Sequence, residues 1–179
     1  GQKRLSIVDV AGGKQPIFAE DGQKCIICNG EIYNHLALRD ELPHHCFCTN
    51  SDTEALLHLF EEEGEESVSR LDGMFAFVVY DGRDILVARD PLGIKPLYEG
   101  RKDGCLFFAS EIKALEGVVD SIQEFPPGHY YSSKSGLLQY YTIPQKSHYE
   151  EDADRISIRL RQKLTDAVRK RLMSDVPLG

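Results

Sequence analysis

Lys24-Cys25-Ile26-Ile27-Cys28-Asn29-Gly30-Glu31-Ile32-Tyr33-Asn34 carries the chain from a strand into a helix. From Cys25 to Cys28 the run is apolar throughout, which predicts a strand with both faces covered. Asn34 is an N-cap residue type for a helix to about Leu42, where Leu38 and Leu42 share a face and Pro43 stops the helix. Upstream, Ile17-Phe18 reads as a partner strand through the hairpin signal Asp21-Gly22. Residues 4–9 read as a further short strand, ended by the turn at 11–16. Downstream, Ser51-Asp52-Thr53-Glu54 is a capping box. It opens a helix carrying Leu56, Leu57, Leu59 and Phe60, which ends at Gly64. The cluster Glu61, Glu62, Glu63, Glu65 and Glu66 reads as a solvated face that suits the helix dipole poorly. Strands then follow at 75–80, 85–88, 95–99, 106–109, 129–132 and 137–142. Asp81-Gly82, Pro91-Leu92-Gly93, Asp103-Gly104 and Ser135-Gly136 are the turns between them, so the sheet is mainly antiparallel. A polar linker at 144–150 leads to an amphipathic helix over 152–173, with Ile156, Leu160, Leu164, Val168 and Leu172 at every fourth position. Its basic residues read as side chains reaching to solvent. The pattern is α+β.

The chain has 179 residues, 41% hydrophobic and 28% charged, enough for one domain, or one and part of a second. No run approaches the ~20 apolar residues of a membrane span. With 21 Lys+Arg against 29 Asp+Glu the formal net charge is −8. An acidic chain repels phosphate backbones, so neither nucleic acid nor membrane is an expected partner. Gly1 to Ser6 lack the apolar core of a signal peptide. Five cysteines, an odd number, read as reduced thiols in a cytoplasmic protein. Both ends of the sequence read as cut inside structure.

Cys25-x-x-Cys28 with His44, His45, Cys46 and Cys48 has the residue types of a zinc site. An offset of three along a strand, however, puts Cys25 and Cys28 on opposite faces, so free thiols and no metal are expected. Asn29-Gly30 follows a buried strand directly. Glycine there permits close approach, and the Asn amide with the Gly N–H makes a candidate oxyanion hole; a plain turn is the alternative. Arg4 is suited to clamp a carboxylate and Asp52 to accept from an ammonium, a pair that fits an amino-acid backbone. Asp52 also fits a first-turn acid at a helix N-terminus, and Arg4 a surface residue. Arg89-Asp90-Pro91-Leu92-Gly93-Ile94-Lys95-Pro96-Leu97-Tyr98 reads as scaffold: strand, tight turn and strand, with Asp90 capping the turn.

Six motifs occur in order: Arg4 to Asp9, Asn29 to Asn34, Ser51 to Glu54, Leu71-Asp72-Gly73-Met74-Phe75-Ala76-Phe77, Arg89 to Tyr98, and Ala109-Ser110-Glu111-Ile112-Lys113-Ala114-Leu115. Together they resemble the glutamine-hydrolysing asparagine synthetases of bacterial type, whose first domain is a class II glutamine amidotransferase. The resemblance implies an N-terminal-nucleophile fold, two antiparallel sheets packed between helices, here lacking its first strand and helix. Residues 1–143 would be the glutaminase domain; 144–179 would be the linker and first helix of an ATP-dependent synthetase domain. By resemblance, Arg4 holds the α-carboxylate of glutamine, and Leu5, Ser6, Ile7 and Val8 line that wall. Asn29 and Gly30 form the oxyanion hole, Glu31 contacts the substrate, and Asp52 takes the α-ammonium.

The family's nucleophile is an N-terminal cysteine whose own amine is the base. Here Gly1 stands first, and no internal cysteine has such a base. The sequence also stops before the Ser-Gly-Gly-x-Asp-Ser loop that cradles ATP phosphates. The expectation is therefore an excerpt, inert alone, of a parent that passes ammonia from glutamine to activated aspartate. ATP and Mg would belong to the parent's synthetase domain, and this chain would hold no cofactor. Its partners would be glutamine, that synthetase domain and a possible second copy in a homodimer. Exposed apolar surface and marginal stability are expected. A non-catalytic glutamine-binding or regulatory module is one alternative. A β-lactam synthetase-like relative is another, opposed by the retained pocket residues.

Overall fold

The computed structural model describes residues 7–10, 12–145 and 152–177. Arg4, Leu5 and Ser6, and most of the strand expected at 4–9, lie outside the described residues; residues 7–9 are not in a strand. The elements are β1 (Ile17–Phe18), β2 (Cys25–Ile32), α1 (His35–Glu41), α2 (Asp52–Glu63), β3 (Gly73–Tyr80), β4 (Ile85–Arg89), β5 (Tyr98–Lys102), β6 (Cys105–Ala109), β7 (Ser121–Glu124), β8 (His129–Ser132), β9 (Gly136–Gln139) and α3 (Ala153–Arg171). Short 3₁₀ helices occupy Gly64–Arg70 and Ile112–Ala114. One sheet runs β1-β2-β3-β4-β8-β9 and a second runs β6-β5-β7. All pairings are antiparallel.

Strand alternation divides the large sheet into two faces. Ile26, Cys28 and Ile32, with Phe75, Phe77, Val79, Leu86 and Ala88, face α1 and α2 and bury Leu38, Leu56, Leu57 and Leu59. On the other face Ala76 and Val87 meet Leu97 and Phe125, flanked by Val78, Phe108 and Tyr131, and so join the two sheets. Cys25 and Cys28 fall on opposite faces as expected. The expectation that both faces of that run are covered fails at Ile27. It is 46% exposed, because its face opens into a cleft between the sheets.

The strand expected at 95–99 starts later, at Tyr98. The N–H groups of Ile94 and Lys95 are held by Asp90 in the preceding turn, so they are unavailable to a ladder. The last strand ends at Gln139 rather than 142, since the N–H groups of Tyr140 and Tyr141 both turn back to the Gly128 carbonyl. Strand β7 was not expected from sequence. Asp90 caps its turn as predicted, accepting from Phe75, Leu92, Ile94 and Lys95. Arg89, equally buried, donates to the Gly93, Lys95 and Phe125 carbonyls and to Glu124. This segment is scaffold.

The capping box forms only in part. Ser51 Oγ accepts from the Thr53 N–H, but Glu54 does not reach back to the cap. It accepts from the N–H groups of Cys48 and Thr49 and from the Thr49 hydroxyl, at 2.6–2.7 Å, and so ties the 43–50 loop to α2. The acidic cluster is likewise more than a solvated face. Glu61 bonds Lys24 and His58, Glu62 meets His45, Glu63 pairs with Arg70, and Glu65 accepts from Tyr130 and Ser135. These partners neutralise acids that the C-terminal end of a helix disfavours.

Candidate glutamine site

The cleft between the sheets has a volume of about 500 Å³. Its floor comes from β2 and β3, where Ile27, Asn29 and Glu31 pair with Val78, Ala76 and Met74. Its far wall is Leu97, Phe108 and the segment from Ala109 to Ala114; Val8, Gln15, Asp52 and Thr53 complete the rim. Strand period places Ile27, Asn29 and Glu31 side by side on the open face. The first turn of α2 brings Asp52 in from the helix side.

Asp52 is 4% exposed. Its Oδ2 accepts from the Ile32 N–H at 2.7 Å and its Oδ1 from the Thr53 N–H at 2.8 Å. One carboxylate thus locks the end of β2 to the start of α2, which satisfies the first-turn role. Oδ1 also accepts from the Ser51 and Thr53 hydroxyls at 3.4 Å, while Oδ2 keeps a second lone pair, so the same group can accept from an ammonium in the cleft. Glu31, also buried, adds a second carboxylate to that wall. Two buried carboxylates give this end of the cleft a negative potential.

Asn29 is exposed in the cleft, with Nδ2 3.5 Å from Ser110 Oγ. Gly30 has φ +156°. A Cβ there would stand 2.1 Å from the Met74 carbonyl oxygen and 2.7 Å from Phe75 Cα. Glycine is required at this position by the neighbouring strand, whose backbone fills the close approach expected for a ligand. Val8 lines the cleft, whereas the Ile7 carbonyl is held from behind by the Asp175 N–H at 2.9 Å. The structure therefore brings Val8, Asn29, Gly30, Glu31 and Asp52 together; the expected Arg4, Leu5 and Ser6 lie outside the described residues.

Sequence reading missed Gln15, whose side-chain amide pairs with both the N–H and the carbonyl of Cys28, like one more strand residue at 2.7 and 3.0 Å. It also missed Ser110, Glu111 and Lys113 on the far wall, the last two forming an ion pair. Ala109-Ser110-Glu111-Ile112-Lys113 belongs to the last of the six sequence motifs, but no spacing rule carries a segment across to another sheet. Cys28 also lines the cleft. Burial, then the Asp52 and Glu31 carboxylates, push its thiol well above the ordinary cysteine range, so it is not a nucleophile. All five thiols are free.

A cleft between two antiparallel sheets, floored by Asn29, Gly30 and Glu31 and rimmed by the first-turn Asp52 of α2, is the arrangement that the resemblance to class II glutamine amidotransferases, of α+β N-terminal-nucleophile fold, implied. The glutamine amidotransferase domain family matches residues 1–126, and the chain belongs to it. Over 181 aligned residues it is 49% identical to asparagine synthetase [glutamine-hydrolyzing] 3 of Arabidopsis thaliana and 47% identical to the Zea mays asparagine synthetase [glutamine-hydrolyzing], covering 99% of this chain and 31% of each. The chain thus spans about a third of the length of these relatives. They are plant proteins, so the narrower bacterial-type resemblance is corrected to glutamine-hydrolysing asparagine synthetases in general. Among solved structures, glutamine phosphoribosylpyrophosphate amidotransferase from B. subtilis superposes with a TM-score of 0.62 at 27% identity, covering 72% of this chain and 32% of that one. An allosteric regulatory enzyme of purine biosynthesis gives 0.61 at 28% identity, covering 72% and 31%.

Proposed function

We propose that this chain forms the glutamine pocket of a glutamine-hydrolysing asparagine synthetase, which supplies ammonia for ATP-dependent amidation of aspartate. The observation that carries the proposal is the buried Asp52 carboxylate, fixed by two backbone N–H groups at the mouth of a cleft floored by Asn29, Gly30 and Glu31. In this reading Asp52 takes the α-ammonium of glutamine and Arg4 its α-carboxylate, with Leu5, Ser6 and Val8 along that wall and Ile7 behind them. The side-chain amide then lies over Asn29 and Gly30, which stabilise the oxyanion as the carbonyl is attacked. Glu31 contacts the substrate. The attacking thiol, its α-amine base, and the site for ATP and Mg belong to segments beyond these 179 residues. Residues 1–143 make up the glutaminase unit, and 144–179 lead into the synthetase unit. Free thiols agree with a cytoplasmic setting, and no described helix is long and apolar enough to cross a membrane.

The test uses the full-length protein assayed with two nitrogen donors. Asp52→Asn is expected to raise KM for glutamine ~10-fold or more, the effect of losing a charge-assisted hydrogen bond. Asparagine synthesis from ammonium chloride should stay unchanged. Equal loss with both donors would overturn the assignment of Asp52 to glutamine, and unchanged glutamine kinetics would overturn the pocket.

A further inference from the structure

A second cluster of chemistry-bearing side chains lies away from the cleft, where the β1–β2 hairpin, the 43–50 loop and α2 meet. One nitrogen each of His45 and His58 and one oxygen of Glu20 lie within 4.8 Å of one another. The two imidazoles stack with centroids 4.5 Å apart and planes inclined by 31°. One carboxylate oxygen braces both: Glu61 Oε2 is 2.8 Å from His58 Nδ1 and 3.6 Å from His45 Nδ1, while its Oε1 is held by Lys24 at 3.1 Å. The Cys46 N–H donates to Glu20 Oε1 and aims that carboxylate at the rings. The His58 side chain is 1% exposed and its Nε2 has no hydrogen-bond partner, Glu54 Oε1 standing 3.8 Å away. A buried imidazole nitrogen without a partner is costly unless something binds it.

We propose that Glu20, His45 and His58 bind one divalent cation of the zinc class, with Glu61 on His58 Nδ1 and Glu62, 3.0 Å from His45 Nε2, as the outer carboxylates that orient the rings. Two imidazoles and a carboxylate are a zinc ligand set that leaves a fourth position to water. Bonds of ~2.0–2.1 Å put tetrahedral ligand atoms ~3.3 Å apart. The present separations close to that by small rotations, chiefly of Glu20, whose side chain is 46% exposed. A carboxylate on the far ring nitrogen is the usual support of a metal-bound histidine. The ligands come from three chain segments, so the cation would cross-link them. The exposed Cys46 and Cys48 are not ligands in this site, unlike the Cys-x-x-Cys set that the sequence first brings to mind.

The experiment is equilibrium dialysis of the full chain against zinc chloride, with cobalt(II) chloride as a spectroscopic probe. The expected result is one equivalent bound, with d–d cobalt bands and no thiolate-to-cobalt charge transfer. Affinity should fall ~10-fold or more in Glu20→Gln and in His45→Gln. Both positions tolerate change without emptying the core, and circular dichroism confirms that each variant is folded. Cys46→Ser with Cys48→Ser should bind as the parent does. Absence of stoichiometric binding would overturn the proposal. Binding unchanged in both single variants, or lost in the double serine variant, would overturn it too.

Discussion

A methyl group at Gly30 has nowhere to go except into the carbonyl of Met74. Gly30→Ala should therefore cost about 3 kcal/mol or more, the upper range for overpacking, read from the urea midpoint. The loss should appear in the absence of glutamine, because the clash is with β3. This residue was legible in sequence as special, but its cause was not. Asn29-Gly30 said that something comes close, and only the register Gly30↔Phe75 says what. Asp52 shows the converse. Its two sequence readings, first-turn acid and ammonium acceptor, exclude each other only if a carboxylate has a single use. The cysteines permit a sharper test. Cys46, Cys48 and Cys105 are exposed and Cys28 is buried with a raised thiol pKa. A thiol reagent at mild alkaline pH should label the first three rapidly, and Cys28 only after unfolding, as peptide mass spectrometry would report.

Helix α2 is the element through which pH should act on stability. Burial alone would raise the Glu54 carboxyl, but the His58 ring and the donors at Thr49 and Cys48 hold it at about 2. A depressed carboxyl stabilises the fold above its unfolded value near 4.5 and loses that contribution as pH falls toward 2. His58 has the opposite sign. Burial lowers it, yet Glu54 and Glu61 outweigh burial and raise it. Its contribution is full below about 6.5 and is lost as pH rises through the higher folded value. The groups facing it are Glu54 and Glu61 on α2, Glu20 on the β1–β2 hairpin, His45 and Phe47 on the loop, and Lys24 through Glu61. Urea midpoints measured without added metal from pH 3 to 9 should thus fall at both ends, and Glu54→Gln should flatten the acid limb. Asp90→Ala, which strips acceptors from the turn between β4 and β5, should cost about 3 kcal/mol or more, read by the same measurement. The helix was legible from Ser51 and Gly64. The destination of Glu54 was not, because its partners lie in a loop that has no periodicity.

Across the whole molecule, what sequence conveyed was set by contact distance. The hairpins β1–β2, β3–β4, β5–β6 and β8–β9 all announce themselves by Asp-Gly or Ser-Gly turns. The pairings β2–β3, β4–β8 and β5–β7 carry no local signal, yet they decide that there are two sheets and a cleft between them. Those central pairings bury Ile26, Phe77, Val79, Leu86 and Val87 almost fully. Hydrogen exchange should therefore be slowest in β2, β3 and β4 and fastest in α3. The apolar stripe of α3 stays open, with Leu160, Leu164, Val168 and Leu172 each 55–59% exposed, in line with the exposed apolar surface expected from sequence. Beyond that helix, the Asp175 N–H reaches the Ile7 carbonyl and its carboxylate accepts from the Asp9 N–H at 2.7 Å. Positions 166 residues apart in sequence thus meet like the two halves of a clasp, and the path between them is nearly a ring.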